Sequence, residues 1–495
     1  MSAEPTTTTG WETVIGLEVH CELRTRTKLF CGCLNAFGDP PNTHICPVCL
    51  GLPGSLPVIN KSAVDYAMRI GLALHCRVEP SIFHRKNYFY PDMPKDYQVS
   101  QYDEPINVDG WLELPGGSRV GIERAHMEED TGKTTHVGGG GRIHEAGYSL
   151  VDYNRAGVPL VEIVSWPDLR SAADARAYVD ELRAILVATG ASDGKMEEGS
   201  LRVDANVSVR RTGTTALGTR CEIKNMNSLR SLGRAIDYEV SRQIAQIEGG
   251  AKVVQETRHW NEAEGTTRSM RSKEEAFDYR YFPEPDLVPL DPHRDWIRTT
   301  AAGLPLLPAD RRRRVGEAAG LDADSDAVVT VVRLDLDHYV AAAASAGADP
   351  ALAVRRLANE VAAHLDAGRL LTADAFSRLL LMESQGELTT AQARQVLADL
   401  LEHGGDPVAI AHRLGFEAMS ADDLGRAVDG VIAANPGEWA RFTRGEDKLQ
   451  GFFVGKVKAA TAGKADLKVV SELLRQRRAA IAPSSKPSET PPVPT

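Results

Sequence analysis

The chain has 495 residues, more than one hydrophobic core usually supports, so two or three domains are expected. Its apolar fraction, 42%, is ordinary for a globular protein. The net charge of −11 and pI near 5.7 exclude a whole-chain coat on nucleic acid, and any phosphate contact has to come from a local basic surface.

Met1 to Gly10 lacks the basic start and apolar core of a secretory signal and reads as a disordered end. No apolar run reaches membrane-spanning length, and a cytoplasmic location without membrane contact is expected. Residues 11–295 read as mixed α/β with much antiparallel sheet. In Thr13 to Leu23, period-2 alternation puts Ile15, Leu17, Val19, Cys21 and Leu23 on one face and Glu18, His20 and Glu22 on the other. Cys31-x-Cys33 and Cys46-x-x-Cys49 follow, with Gly38, Asp39, Pro40 and Pro41 turning the chain between them. Two close thiolate pairs suit one tetrahedral zinc ion, and four protein ligands leave no open position, so loop 31–49 is expected to be stapled by a structural Zn²⁺. The other cysteines, Cys21, Cys76 and Cys221, are isolated and read as packing residues.

His126-Met127-Glu128-Glu129-Asp130 sets three acids in a row, which alone reads more readily as a solvated charge run than as a site. The next residues, Thr131-Gly132-Lys133-Thr134, resemble the end of a P-loop, but Met127 stands where the first glycine is required. Gly138 to Gly141 reads as a hairpin tip. Glu162 interrupts the apolar run Val158 to Val164, and Asp204 lies on the polar face of Leu201 to Arg210, a second alternating stretch. Ala172 to Ala177, Leu182 to Thr189 and Asn227 to Ile247 are helix-like. A carboxylate inside an apolar strand is costly unless paired or bound to a cation. Several converging carboxylates repel one another, and Mg²⁺ relieves that while leaving positions for water and nucleotide phosphates.

From residue 296 the texture becomes Ala-, Leu- and Arg-rich with helical spacing. Residues 296–405 read as an all-α domain that stops at Gly404-Gly405-Asp406-Pro407, and 406–482 read as a small helical tail domain. Residues 441–480 hold ten Lys/Arg against four acids, the local polarity a nucleic-acid contact needs on an acidic chain. The proline-rich end, 483–495, reads as disordered.

In order along the chain stand Val14-Ile15-Gly16-Leu17-Glu18-Val19-His20, Arg85-Lys86-Asn87-Tyr88-Phe89-Tyr90-Pro91-Asp92, His126 to Lys133, and Leu150-Val151-Asp152-Tyr153-Asn154-Arg155. After them come Glu197 to Asn206, Glu222-Ile223-Lys224-Asn225-Met226-Asn227-Ser228, Gln255-Glu256-Thr257-Arg258 and Asp278 to Asp286. By these strings the chain resembles the GatB family, the B subunit of the tRNA-dependent glutamine/asparagine amidotransferase. The resemblance implies an α+β architecture: a cradle-like kinase domain with mainly antiparallel sheet, an all-α domain and a YqeY-like tail. It implies ATP-dependent phosphorylation of the side-chain carboxylate of Glu-tRNA(Gln) or Asp-tRNA(Asn). The acyl phosphate then reacts with ammonia from an amidase (A) subunit, in a heterotrimer completed by a small C subunit.

By the same resemblance, Glu18, His20, Glu128, Glu129, Glu162 and Asp204 form the Mg²⁺ and ATP end of the site, with Glu128, Glu129 and Asp204 catalytic. Lys86, Lys95 and Asp278 line the ammonia path. Gly451 to Val457 and Gly463-Lys464-Ala465-Asp466 are similar to the family's tail motif, although Lys458 replaces its usual methionine. Lys456, Lys458, Lys464, Lys468, Arg475, Arg477 and Arg478 are the expected tRNA contacts. The helical domain departs from the pattern at Leu357-Ala358-Asn359-Glu360, where a tryptophan usually follows the Asn. Two other readings compete: a zinc-stapled tRNA-binding module without catalysis, and a standalone Mg²⁺-dependent phosphotransferase. The choice between Glu-tRNA and Asp-tRNA and the number of Mg²⁺ ions are open at this level.

Overall fold

The computed structural model describes residues 10–138, 146–272, 279–364, 370–416, 421–461, 465 and 467–481. Of the ends expected to be disordered, 1–10 and 483–495, all but Gly10 lie outside them, as do glycines 139–141 of the hairpin tip. The chain divides into two compact units, Met1–Asp310 and Arg311–Thr495.

The first unit is built on β1 (Trp11–Glu22), β2 (Arg77–Val78), β3 (His84–Asn87), β4 (Tyr97–Ser100), β5 (Asn107–Glu113), β6 (Arg119–Glu129), β7 (Lys133–Val137), β8 (Tyr148–Asp152), β9 (Pro159–Ser165), β10 (Leu201–Arg211), β11 (Cys221–Lys224), β12 (Glu256–Asn261), β13 (Thr266–Ser272) and β14 (Phe282–Pro283). Twelve of these form one sheet in the order β13-β12-β11-β10-β1-β9-β6-β4-β3-β14, with β5 also on β6 and β2 on β5; β7 and β8 pair separately. All these pairings are antiparallel except β11 with β12.

The alternation read in β1 and β10 sets which face is buried. Ile15, Leu17, Val19, Val203, Ala205 and Val207 join Ala125, Met127, Val161 and Ile163 in one core. Three helices bury side chains fully in that core: α1 (Lys61–Ala73) through Ala67 and Met68, α2 (Ala172–Ala188) through Tyr178 and Leu182, and α3 (Leu229–Glu248) through Leu232 and Ile236. Each starts where a side chain satisfies a free backbone amide: Asn60 accepts from Ser62 N–H, Ser171 from Asp174 N–H and Ser228 from Ser231 N–H. The two helical segments expected on either side of residue 180 are one helix, α2, because Tyr178, Val179 and Leu182 all bury on one side. Full burial of one such Leu contributes about 1.5–3 kcal/mol. Buried Asn107 ties α1 to the sheet, its Nδ2 donating to Ala67 O at 3.0 Å and to Ala125 O at 2.9 Å.

The described part of the second unit is helical, which with the first unit makes the chain α+β. It contains two apolar clusters, one from Val315 to Ala411 and one from Leu424 to Leu474. Helix Pro407–Arg413, which follows the expected stop at Gly404, packs Ile410 and Ala411 into the first cluster. In the second, Trp439, Phe442 and Phe453 meet with centroids 5.3–6.0 Å apart.

Candidate active site and metal centre

Opposite the core, the sheet presents a face of polar rungs. Register sets His20 on β1 beside Glu162 on β9, Glu162 beside His126 on β6, and Arg202 on β10 on the other side of His20. Adjacent strands lie about 4.8 Å apart, so side chains along a rung touch. His20 Nε2 is 3.8 Å from Glu128 Oε1 and 3.8 Å from Glu162 Oε1, and His126 Nε2 is 3.0 Å from Glu162 Oε2. One ligand atom each from His20, Glu128 and Glu162 falls within a 4.8 Å group.

The electrostatics of the two acids diverge. Burial pushes the Glu128 carboxyl up, and the Glu162 charge pushes it further. Burial acts on Glu162 the same way, but His126 and His20 outweigh it and hold Glu162 well below the usual carboxylate range. A divalent cation stabilises both anions at once, and two carboxylates with an imidazole leave room for water and phosphate oxygens, so the donor set fits a divalent cation.

Two rungs along, Glu18 lies opposite Asp204 and accepts from Asn206 Nδ2 at 2.9 Å. Burial, then the charges of Glu162 and Glu222, push Glu18 up. Lys224 Nζ is 2.6 Å from Asp204 Oδ2 and 3.0 Å from Glu222 Oε1. Glu18, Asp204 and Glu222 thus form a second acidic group with one lysine between two of its members.

Glu129 does not join His20 and Glu162. Successive strand residues face opposite ways, so Glu128 and Glu129 diverge. The Glu129 carboxylate is ion-paired with Lys95 and accepts from Val99 N–H at 2.9 Å. It lines a cavity of about 230 Å³ with Lys28, Arg85, Lys95, Cys49 and Glu284. Lys86 keeps the other company: burial disfavours its ammonium, but Glu128, Tyr281 and Glu162 outweigh that and raise its pKa. The two lysines expected on one path therefore neighbour different acids, and the third expected residue, Asp278, lies outside the described residues.

Residue-by-residue reading missed several partners. His126 and Lys224 were only parts of motif strings, yet extending the β1 alternation to β6 would have put His126 on the Glu128 face. The group Glu22, Asp130, Arg202 and Arg155 had no local signal. Arg202 Nη2 is 3.0 Å and Arg155 Nε 3.4 Å from Asp130 Oδ2. Burial and the neighbouring Asp130 push the Glu22 carboxyl up to about 8. Asp130 moves down: burial opposes the shift, but Arg202 and Arg155 prevail.

The four loop cysteines converge as their spacing suggests. One sulfur from each falls within a 4.8 Å group, with Cys46 Sγ 3.9 Å from Cys49 Sγ. A tetrahedron of Zn–S bonds has edges of about 3.8 Å. The Cys46 N–H donates to Cys49 Sγ at 3.1 Å, and a hydrogen bond from Cys31, opposed by burial, brings the Cys49 thiol down to about 5. The loop is anchored by Asn42 N–H on Asp152 Oδ1 at 2.9 Å and His44 N–H on Asn154 Oδ1 at 2.8 Å. The cluster is compatible with a structural metal. Cys21, Cys76 and Cys221 are buried apart from it.

In the tail, three expected phosphate contacts already have acidic partners: Arg475 with Glu472 at 2.9 Å, Arg477 with Asp429 at 2.8 Å and Arg478 with Asp447 at 2.6 Å. Lys456 and Lys458 are exposed and have no ion pair among the described residues. Lys464 and the side chain of Lys468 lie outside the described residues.

A model of the GatB/GatE catalytic domain matches residues 13–298, and a second, of the GatB domain, matches residues 338–477. A protein of Moorella thermoacetica, named as the B subunit of an aspartyl/glutamyl-tRNA(Asn/Gln) amidotransferase, is 49% identical over 478 residues, 94% of this chain and 99% of its own. Proteins of the same name from Frankia casuarinae and Nostoc punctiforme are 50% and 47% identical, covering 94% and 96% of this chain and 95% and 99% of their own. With more than half its length matched by the catalytic-domain model and about half its residues shared with these relatives almost end to end, the chain belongs to the GatB family.

Proposed function

We propose that this chain is the kinase and amidating subunit of a cytoplasmic tRNA-dependent amidotransferase, working with an amidase (A) subunit and a small C subunit on Glu-tRNA(Gln), Asp-tRNA(Asn) or both. The observation that carries the reading is the convergence of His20, Glu128 and Glu162 on one sheet face in a chain of this family. A side-chain carboxylate is too poor an electrophile for ammonia, so its oxygen first attacks the γ-phosphorus of ATP and ADP leaves. Ammonia then adds to the acyl phosphate, phosphate departs with the C–O bond electrons, and the nitrogen loses a proton to give the amide.

His20, Glu128 and Glu162 are the residues that would hold Mg²⁺, with Glu18 and Asp204 offering a further anionic group beside them. The ion supplies charge neutralisation to the phosphate oxygens during transfer. His126 fixes the orientation of Glu162, and Lys86 places a cation on the same face for an anionic substrate group. Glu129 acts from the other side: with Lys95 it closes one wall of the cavity, which we assign to the ammonia path. Cys31, Cys33, Cys46 and Cys49 hold Zn²⁺ and keep loop 31–49 in place without chemistry of their own. Lys456 and Lys458 contact tRNA phosphates.

The test uses the assembled three-subunit complex, following ADP and the charged amino acid on each misacylated tRNA. Glu128→Ala and Glu162→Ala are each expected to lower both products by at least about 100-fold. Amidation by Glu128→Ala at the wild-type rate would overturn the site. ATP turnover without charged tRNA would favour a standalone phosphotransferase, and unchanged tRNA binding with no wild-type activity to lose would favour a binding module.

A further inference from the structure

At one rim of the carboxylate face runs a row of four tyrosines. Asn87 fixes the segment that carries two of them: its N–H donates to Tyr279 O at 2.9 Å and its Nδ2 to Arg280 O at 2.8 Å, while Phe282 pairs with Arg85 of β3. Tyr279 then meets Tyr88 edge-on at 6.0 Å, Tyr281 meets Tyr279 edge-on at 6.2 Å, and Tyr281 stacks on Tyr102 with centroids 4.0 Å apart and planes 9° from parallel. Tyr102 ends the row and is 54% exposed. Lys86 Nζ sits 5.0 Å from the Tyr279 ring, and its strand β3 pairs with β4, whose Ser100 lies beside Glu128 of β6. The aromatic row and the acidic group are therefore contiguous.

We propose that the Tyr102–Tyr281 stack is a platform for an adenine base. The proposal rests on the amidotransferase reading, in which both reactants carry adenosine: ATP, and the tRNA whose terminal adenosine bears the amino acid. Each brings phosphates or a carboxylate to the charged end and a flat π-face that needs a surface beside it. A preformed parallel ring pair extends by one more layer at little entropic cost, because the rings are already ordered. The lysine between row and acids sits where the anionic and aromatic parts of such a ligand meet.

The experiment uses the full chain in the assembled complex with two probes, etheno-ATP and tRNA whose terminal adenosine is replaced by 2-aminopurine riboside. Stacking on tyrosine quenches either fluorophore, so the quenched probe identifies which adenosine occupies the platform. Tyr102→Ala is expected to abolish that quenching and weaken that probe's binding roughly ten-fold, while Tyr102→Phe preserves both. Should the alanine variant fail to assemble, Tyr102→Leu keeps apolar bulk without a π-face and carries the same expectation. Quenching of neither probe, or quenching that survives Tyr102→Ala or Tyr102→Leu, overturns the platform. Wild-type amide formation measured in parallel separates the two ideas: an active complex with unquenched probes overturns the platform alone. Quenched probes with no amide product overturn the amidotransferase reading and leave the platform standing.

Discussion

Glu162 shows how a carboxylate survives inside an apolar strand: it faces away from the core, with His126 and His20 to either side of it. From the sequence it was suspicious because of its neighbours along the chain, whereas its partners come from two other strands. Glu128 and Glu129 teach the opposite lesson, since adjacency suggested one site and alternation sends them to two. Glu22 supports a prediction of pH dependence. Its folded pKa, about 8, lies above the ordinary carboxyl value near 4.3, so the folded state binds the extra proton. That contribution to stability is complete below about pH 4.3 and is lost as pH rises through about 8. Urea denaturation of the full chain from pH 5 to 8.5 should show Glu22→Gln losing less stability than wild type across this window. Parallel profiles for the two proteins would refute the assignment.

At the scale of elements, β1, β10 and the helix α3 were legible, and α2 in two pieces, because their patterns answer to a single buried face. The two-residue strands β2 and β14 were not, because distant partners alone make them strands. Gly71 in α1 is similar. Glycine normally weakens a helix, and alanine there would gain about 0.5–1 kcal/mol from propensity alone. Yet a Cβ at Gly71 would come within 1.9 Å of Asn107 Oδ1, whose amide is held by two backbone carbonyls. Gly71→Ala is therefore expected to destabilise by about 1–3 kcal/mol net, read as a lower urea midpoint at unchanged slope. An unchanged or higher midpoint would show that Asn107 yields freely. For the cysteine loop, Cys49→Ser should lower bound zinc from one ion per chain and open residues 31–58 to protease while far-ultraviolet circular dichroism stays near wild type. Full zinc occupancy in this variant would rule out the four-cysteine site.

For the whole molecule, an acidic chain carries its excess of basic residues in the tail, but the structure divides those residues into paired and unpaired. A phosphate must compete with Asp429 for Arg477, whereas Lys456 and Lys458 face no such competitor among the described residues. Lys456→Ala with Lys458→Ala should weaken tRNA binding by the complex and lower the slope of log affinity against log salt by roughly one to two. Arg477→Ala should change it less; equal slopes for the two would show that the pairing does not matter. No described helix is long and apolar enough to cross a membrane. Taken alone, the sequence determined the α+β class, the cysteine cluster, the strand faces of Glu18, His20 and Asp204, and the family, because local periodicity, ligand spacing and long ordered motifs survive without coordinates. Tertiary structure alone decided which acids meet, that Glu129 belongs with Lys95, and that tyrosines 102 and 281 stack, because strand order and register between distant segments bring those side chains together.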